Sequence, residues 1–284
     1  MLDAGLGVVR GRPHEGDGMG NILETIAMRT RERVREAYDR GAAAGIVERA
    51  EALAAAEGTH AFPFEEALRT PGMSFVCECK KASPSKGLIA PDFDPVAIAH
   101  DYEAAGAAAI SCLTEPFWFQ GSDDYLAAIS KSVGLPVLRK DFVVDELMVY
   151  QAKCIGAQAV LLICSILNDA QLRAYVALAH ELGLSALVEA YEPDEVPRAL
   201  DAGARVVGVN NRDLRTFRVD FGRSIHLRQL VGPDRLFVSE SGVETREDVR
   251  RLEEAGVDAV LIGETFMRAA DKRAMLDELR GGVR

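Results

Sequence analysis

Seven times along the chain, a helical stretch ends in glycine and a short β-branched run follows. The glycines are Gly106, Gly134, Gly156, Gly183, Gly203, Gly232 and Gly256, spaced by about 25 residues. The clearest copies read EAAGAAAISCL, KCIGAQAVLLI, LDAGARVVGVN and EEAGVDAVLIG. Glycine closes a helix because it enters the left-handed conformation without a Cβ clash. The apolar run behind it reads as a parallel strand buried on both faces. Repeated through 284 residues, this βα unit predicts a closed (β/α)8 TIM barrel, which needs roughly 250 residues. Such barrels carry their chemistry at the carboxyl ends of the strands.

The pattern predicts eight strands near 74–80, 108–113, 136–140, 159–164, 186–190, 206–210, 236–240 and 259–263. Helices are expected near 95–105, 122–132, 145–155, 168–182, 193–202, 221–230, 245–255 and 268–280. An extra N-terminal helical segment precedes them. Residues 21–38 are apolar at 22, 23, 26, 34, 37 and 38, an amphipathic period, and a second helix is expected near 46–57. Pro63 and Pro71-Gly72 punctuate the approach to the first strand. No break in composition divides the rest of the chain, so residues 19–284 are expected to form one barrel domain. Residues 1–18, rich in glycine and without helical period, are expected to be a flexible extension, with Met19 an alternative initiator.

The balance of 33 basic and 44 acidic residues, net −11, argues against a nucleic-acid or anionic-membrane surface. It leaves room for a local positive pocket for an anionic metabolite. No apolar run approaches the ~18 residues of a membrane span, and the first residues lack a signal peptide's apolar core. A cytoplasmic location is therefore expected. The five cysteines are expected to be buried free thiols. In a strand, Cys77 and Cys79 point away from Glu78 toward the helices, and no second Cys/His pair suggests a metal.

The strand ends turn abruptly polar. Glu78 and Lys80 share a face of the first strand, as do Leu138 and Lys140 of the third. Glu189 ends the fifth, while Asn210 and Arg212 follow at the sixth. The seventh reads Val238-Ser239-Glu240-Ser241-Gly242, and the eighth closes on Gly263-Glu264. Taken singly, each charge reads as a solvated group, and for Arg139 and Asp141 that reading or an outward salt bridge is expected. Together, inward-facing Glu78, Lys80, Lys140 and Glu189 would cost several kcal/mol each unless paired or used. None of His14, His60, His100, His180 and His226 lies at a strand end, so acid–base work falls to lysine and glutamate.

The loops after strands seven and eight offer Ser241, Gly242, Gly263 and Glu264, where barrels often hold phosphate on backbone N–H groups. The loop over 82–87, with Ser83, Ser85 and Lys86, adds hydroxyls and a cation at the same mouth. Phe117, Trp118, Phe119 and Phe142 suggest either a flat aromatic ligand or packing under the N-terminal helix.

The segments ECKKASPSKGLIAPDFDP, SCLTEPFWFQGS, LPVLRKDFVVDE, ALVEA, GVNNRDLRTF, VSESGV and LIGETFMRA resemble the indole-3-glycerol-phosphate synthase family across 20–284. The resemblance implies a carbon–carbon lyase (a carboxy-lyase) of tryptophan biosynthesis. Its substrate would be 1-(2-carboxyphenylamino)-1-deoxyribulose 5-phosphate, closed and decarboxylated without metal or organic cofactor. By the resemblance, Lys140 is the general acid and Glu189 the base in dehydration. Lys80 would hold the substrate carboxylate, with the division of proton transfer between the two lysines open, and Glu78 would orient Lys140. Asn210 and Arg212 would position the substrate, while Ser83, Ser241, Gly242, Gly263 and Glu264 would cradle its phosphate. Leu113, Phe119, Phe142 and Leu161 would line the ring pocket. Partners beyond this substrate stay open between a monomer and association with other tryptophan-pathway enzymes.

Ala190-Tyr191 and Phe117-Trp118 depart from the family pattern without removing a proposed catalytic group. Two other readings compete. One is another phosphate-binding barrel such as phosphoribosylanthranilate isomerase, which would need inward-facing cysteines. The other is a non-catalytic metabolite-binding barrel, which has no need of three proton-transfer groups.

Overall fold

The computed structural model describes residues 22–58, 61–213 and 216–282. The extension over 1–18, Met19, His14 and His60 lie outside the described residues. Eight parallel strands close into a barrel: β1 (Ser74–Cys79), β2 (Ala109–Leu113), β3 (Val137–Lys140), β4 (Ala159–Ile163), β5 (Ser185–Ala190), β6 (Val206–Asn210), β7 (Leu236–Glu240) and β8 (Ala259–Ile262). Ser74 of β1 registers with Ala259 of β8, and Val76 with Ala109 of β2, so the first strand seals the ring.

The period of two that marked these strands separates two cores. Val76, Leu138, Leu161, Leu187, Val238 and Leu261 fill the barrel interior. Their neighbours Cys77, Cys79, Ile110, Cys112, Val160 and Val188 face the helices. The strand thiols Cys77, Cys79 and Cys112 are free and buried against the helices, as the alternation required. Cys164 is buried too, but Cys154 is only half-buried, against the expectation.

Around the barrel run α4 (Pro95–Ala105), α5 (Asp123–Ser132), α6 (Glu146–Cys154), α7 (Asp169–Glu181), α8 (Glu195–Asp201), α9 (Gly222–Arg228) and α10 (Arg246–Glu254). The caps explain their limits. Asp94 accepts from the backbone N–H of Val96 and Ala97, and Pro95 fills the first helical position. Gly106 then ends α4 at φ 87°, the left-handed turn expected of it. Gly134 and Gly232 depart from that expectation, because neither has a positive φ. After α5 the chain extends already at Val133, and the Gly134 N–H donates instead to Glu103 at 2.7 Å.

Three features differ from the sequence expectation. The last helix is two pieces, α11 (Glu264–Arg268) and α12 (Lys272–Arg280), because Asp271 caps a new start by accepting from Ala274 N–H. Pro63 opens a short helix, α3 (Pro63–Leu68), where proline's fixed φ suits the first turn, so it is not mere punctuation. That helix drives Phe64 and Leu68 into the amino-terminal end of the barrel and plugs it. Finally, α1 (Ile22–Asp39) does more than precede the barrel with α2 (Ala43–Glu57). Its Leu23 and Ile26 join the interior core beside Phe142, Leu161 and Ile163, at the opposite, carboxyl end.

Candidate active site

A cavity of about 700 Å³ opens at the carboxyl end of the barrel. Fifteen residues singled out in the sequence line it together: Glu78, Lys80, Ser83, Leu113, Phe119, Lys140, Phe142, Leu161, Glu189, Asn210, Arg212, Ser241, Gly242, Gly263 and Glu264. Sequence reasoning missed others on the same wall. Ile22, Leu23 and Ile26 roof it from α1, Phe217 and Val219 close one side, and Glu240 projects from β7. Glu240 had a legible signal, since it shares a face with inward Val238.

The floor is a compact charge cluster. The Lys140 ammonium lies 3.0 Å from Glu240 Oε2 and 3.9 Å from Glu189 Oε2. Lys80 pairs with Glu78 alongside. All three carboxylates are buried. Burial alone would discharge such groups, and the neighbours decide which hold their charge. For Lys140, burial lowers the pKa, but Glu240, Glu189 and Glu78 outweigh it and raise the ammonium's pKa above the ordinary lysine value. For Glu78, burial works upward, yet Lys80 and Lys140 bring its pKa below the ordinary carboxylate value. Glu189 is the exception. Burial and the adjacent Glu240 push it up to about 8 against the pull of Lys140. Glu189 thus retains a proton near neutrality, next to a fixed cation.

Space for this cluster comes from two glycines. A Cβ on Gly208 of β6 would sit 2.5 Å from Glu240 Oε1, and one on Gly263 would sit 2.7 Å from Lys80 Nζ. Asn210 reaches Glu189 at 3.5 Å and accepts from the Arg212 N–H at 3.0 Å. The Arg212 guanidinium donates to the Phe217 carbonyl at 3.2 Å, tying the loop after β6 to the rim.

Arg139 and Asp141 flank Lys140, and their setting corrects the solvated-charge expectation. Both are buried. Arg139 turns outward, pairs with Asp123 at 2.8 Å and donates to the Met148 carbonyl at 2.7 Å. Asp141 accepts from Arg33 of α1 at 2.9 Å and from the Thr114 hydroxyl at 2.8 Å. The salt-bridge alternative holds, deep between barrel and helices.

The aromatic residues divide. Phe119 and Phe142 meet at 6.0 Å between ring centroids on the cavity wall. Phe117 stays outside, half exposed, with the Arg29 guanidinium 4.7 Å from its ring centroid. Buried Glu115 shapes this loop by accepting from the N–H groups of Phe117, Trp118 and Phe119 at 2.7–2.9 Å.

Across the mouth from β3, which carries Lys140, and beside Lys80 lie the loops after β7 and β8. Ser241 and Gly242 adopt φ of 67° and 85°, and Gly263 caps α11. The Glu264 side chain is held by Lys86 at 3.4 Å and Arg268 at 3.2 Å. Burial works to raise its pKa, but those two cations together lower it. Its carboxylate is therefore an anion beside the loop, and what the loop offers a phosphate is backbone N–H and the Ser241 hydroxyl.

The family model described as indole-3-glycerol phosphate synthase matches residues 23–279. The chain belongs to this family. An indole-3-glycerol phosphate synthase of Lachnoclostridium phytofermentans is 49% identical over 267 residues, covering 91% of this chain and 98% of that one. One from Ruminiclostridium cellulolyticum is 54% identical over 222 residues, covering 78% and 85% respectively. Among solved structures, a 3-hexulose-6-phosphate synthase from Salmonella typhimurium superposes with a TM-score of 0.61 at 16% identity, over 74% of this chain and 97% of that one. At that identity the likeness concerns the barrel alone. Membership of the synthase family fits the Lys/Glu floor. The rival isomerase reading needed cysteines in the cavity, and Cys77 and Cys79 pack outside the barrel instead.

Proposed function

We propose that this barrel closes the indole ring of 1-(2-carboxyphenylamino)-1-deoxyribulose 5-phosphate, releasing CO₂ and water. The observation that carries the reading is the Lys140 ammonium, fixed 3.0 Å from Glu240 and 3.9 Å from Glu189 beneath an apolar wall. The Ser241–Gly242 and Gly263 loops stand opposite as an anion cradle. Phe119, Phe142, Leu113 and Leu161 take the aromatic ring, and Ser83 joins the cradle.

In this mechanism the ring carbon bearing the carboxylate attacks the ribulose carbonyl carbon. Lys140 gives its proton to the carbonyl oxygen, which becomes a hydroxyl as the new carbon–carbon bond forms. The glutamates around Lys140, Glu240 first, keep the ammonium charged until the oxyanion develops, when a positioned donor is worth most. Lys80 holds the substrate carboxylate, whose electrons pass to the ring as CO₂ leaves. The hydroxyl then takes a second proton from a lysine ammonium of the cavity floor and departs as water, while Glu189 takes the proton whose loss restores aromaticity. Glu78 orients both lysines and faces the anilino nitrogen, and Asn210 and Arg212 hold the substrate chain. Residues 19–284 act as one catalytic domain in this reading, with 1–18 outside it. In this reading the protein works in the cytoplasm.

The direct test is the appearance of indole fluorescence on adding this substrate, with the phosphoribosylanthranilate isomerase substrate run in parallel. Lys140→Ala is expected to lower kcat by at least ~10²-fold, the usual scale for a lost acid–base group. Near-normal turnover by that variant refutes the role of Lys140.

A further inference from the structure

Behind the loop after β7 lies a closed ring of hydrogen bonds. Asn211, Ser224 and Ser239 are all fully buried. The Asn211 amide donates to Ser239 Oγ at 3.0 Å, Ser239 donates to Ser224 Oγ at 2.8 Å, and Ser224 donates back to Asn211 Oδ1 at 2.8 Å. The Ser224 backbone N–H adds a second bond to Asn211 Oδ1 at 3.1 Å. One bond leaves the ring: the remaining Asn211 N–H donates to the Ser241 carbonyl at 3.0 Å. Both donors and both acceptor sites of the amide are thereby used, so its orientation is fixed. The main chain of Asn211 is tied too, donating to the Glu240 carbonyl and accepting from Asp220 N–H.

The target of that outgoing bond is unusual. Ser241 sits at φ 67°, a left-handed conformation that costs any residue with a Cβ. Strain of this kind persists only where the surroundings impose it. Its own N–H donates to the Leu261 carbonyl of β8 at 3.3 Å, so the two bonds clamp its peptide groups from opposite sides. The Ser241 N–H is thus spent on β8, and the consecutive left-handed residues Ser241 and Gly242 then turn the chain out of the β7–β8 ladder at the mouth of the barrel.

We propose that Asn211 is a positioning residue for the phosphate cradle, holding Ser241 in the left-handed conformation that aims the Ser241–Gly242 backbone at the substrate's phosphate. This rests on the proposed synthase reading and on the cradle it assigns to that loop. Asn211 touches neither substrate nor reacting atoms. Its effect is confined to anion binding.

The test reads the inhibition constant of inorganic phosphate as a competitor of the substrate, together with KM and kcat. Asn211→Ala is expected to raise that inhibition constant and KM by about tenfold, the scale of one lost hydrogen bond, with kcat within about threefold. In the Ser241→Gly background the same substitution is expected to change the inhibition constant less than about twofold, because glycine takes φ near +67° without a tether. An equal rise in both backgrounds, or a fall in kcat at constant KM, overturns the proposal in favour of a general structural role. Should Asn211→Ala not fold, Asn211→Asp removes both donors at constant shape and is expected to raise the inhibition constant equally; an unchanged constant overturns the proposal. If phosphate does not compete in the parent protein, the cradle itself is misassigned and the proposal falls with it. Competition in the parent with no change in Asn211→Ala sinks the proposal alone.

Discussion

Gly208 offers a sharp test of the charge cluster. It lies on the interior face of β6, in register with Glu189 on one side and Val238 on the other. Its φ is not positive, so conformational freedom does not explain it; space does. An added Cβ would stand 2.5 Å from Glu240 Oε1 and 3.1 Å from Leu187 Cδ1, whereas ordinary contact begins at 3.4 Å. The Glu240 carboxylate must therefore retreat by roughly 1 Å, a misplacement that can cost on the order of 10²-fold in rate. The retreat disrupts the 3.0 Å pairing with Lys140 and leaves the phosphate loops alone. Gly208→Ala should lower kcat for indole formation about 10²-fold with KM within about threefold. The extra methyl should also cost about 1–3 kcal/mol of stability, so kinetics belong well below the melting temperature. Combining it with Glu240→Asp, which withdraws the carboxylate by one methylene, should recover part of the rate. Turnover within about twofold of the parent for Gly208→Ala, or a double variant slower than Gly208→Ala alone, refutes the reasoning.

The other outcomes concern Glu189 and Arg139. With Glu189 raised to about 8, its role as base requires losing a proton that it holds near neutrality, so kcat/KM should rise with pH through about 8. Glu189→Gln should abolish that limb and let the condensed, undehydrated species accumulate in trapping experiments; its absence counts against the assignment. The sign for stability is opposite. The folded state keeps a proton that the unfolded chain has lost between the ordinary carboxylate range and about 8, so stability falls as pH rises through that window. Arg139→Met leaves Asp141 without one of its cations and Thr114 without its donor. Breaking such a buried arrangement should cost about 3–5 kcal/mol and lower Tm by about 10 °C in a thermal melt. An unchanged Tm contradicts the reading of Arg139 as structural.

The barrel was legible because the helix–glycine–strand repeat is local, and the strand faces followed from a period of two. Parity at the strand ends brought Glu78, Lys80, Lys140 and Glu189 together from the sequence alone. What escaped depended on contacts distant in sequence. Nothing near Asn211 announces that its amide meets Ser224 and Ser239, and nothing near Arg33 announces Asp141, 108 residues away. The roofing role of Ile22, Leu23 and Ile26 was hidden because helical period reveals an apolar face without saying what it covers. Pro63 misled because proline both breaks helices and begins them.

Closure of the ring has a bearing on how the polypeptide comes to be made. The seam joins Ser74 to Ala259, so the first strand waits on a ribosome for its last neighbour while nearly all the rest is translated. Until then the nascent sheet carries two bare edges, each a template for pairing with other chains. A message truncated ahead of β8 would yield no smaller working version, only an open sheet prone to precipitate.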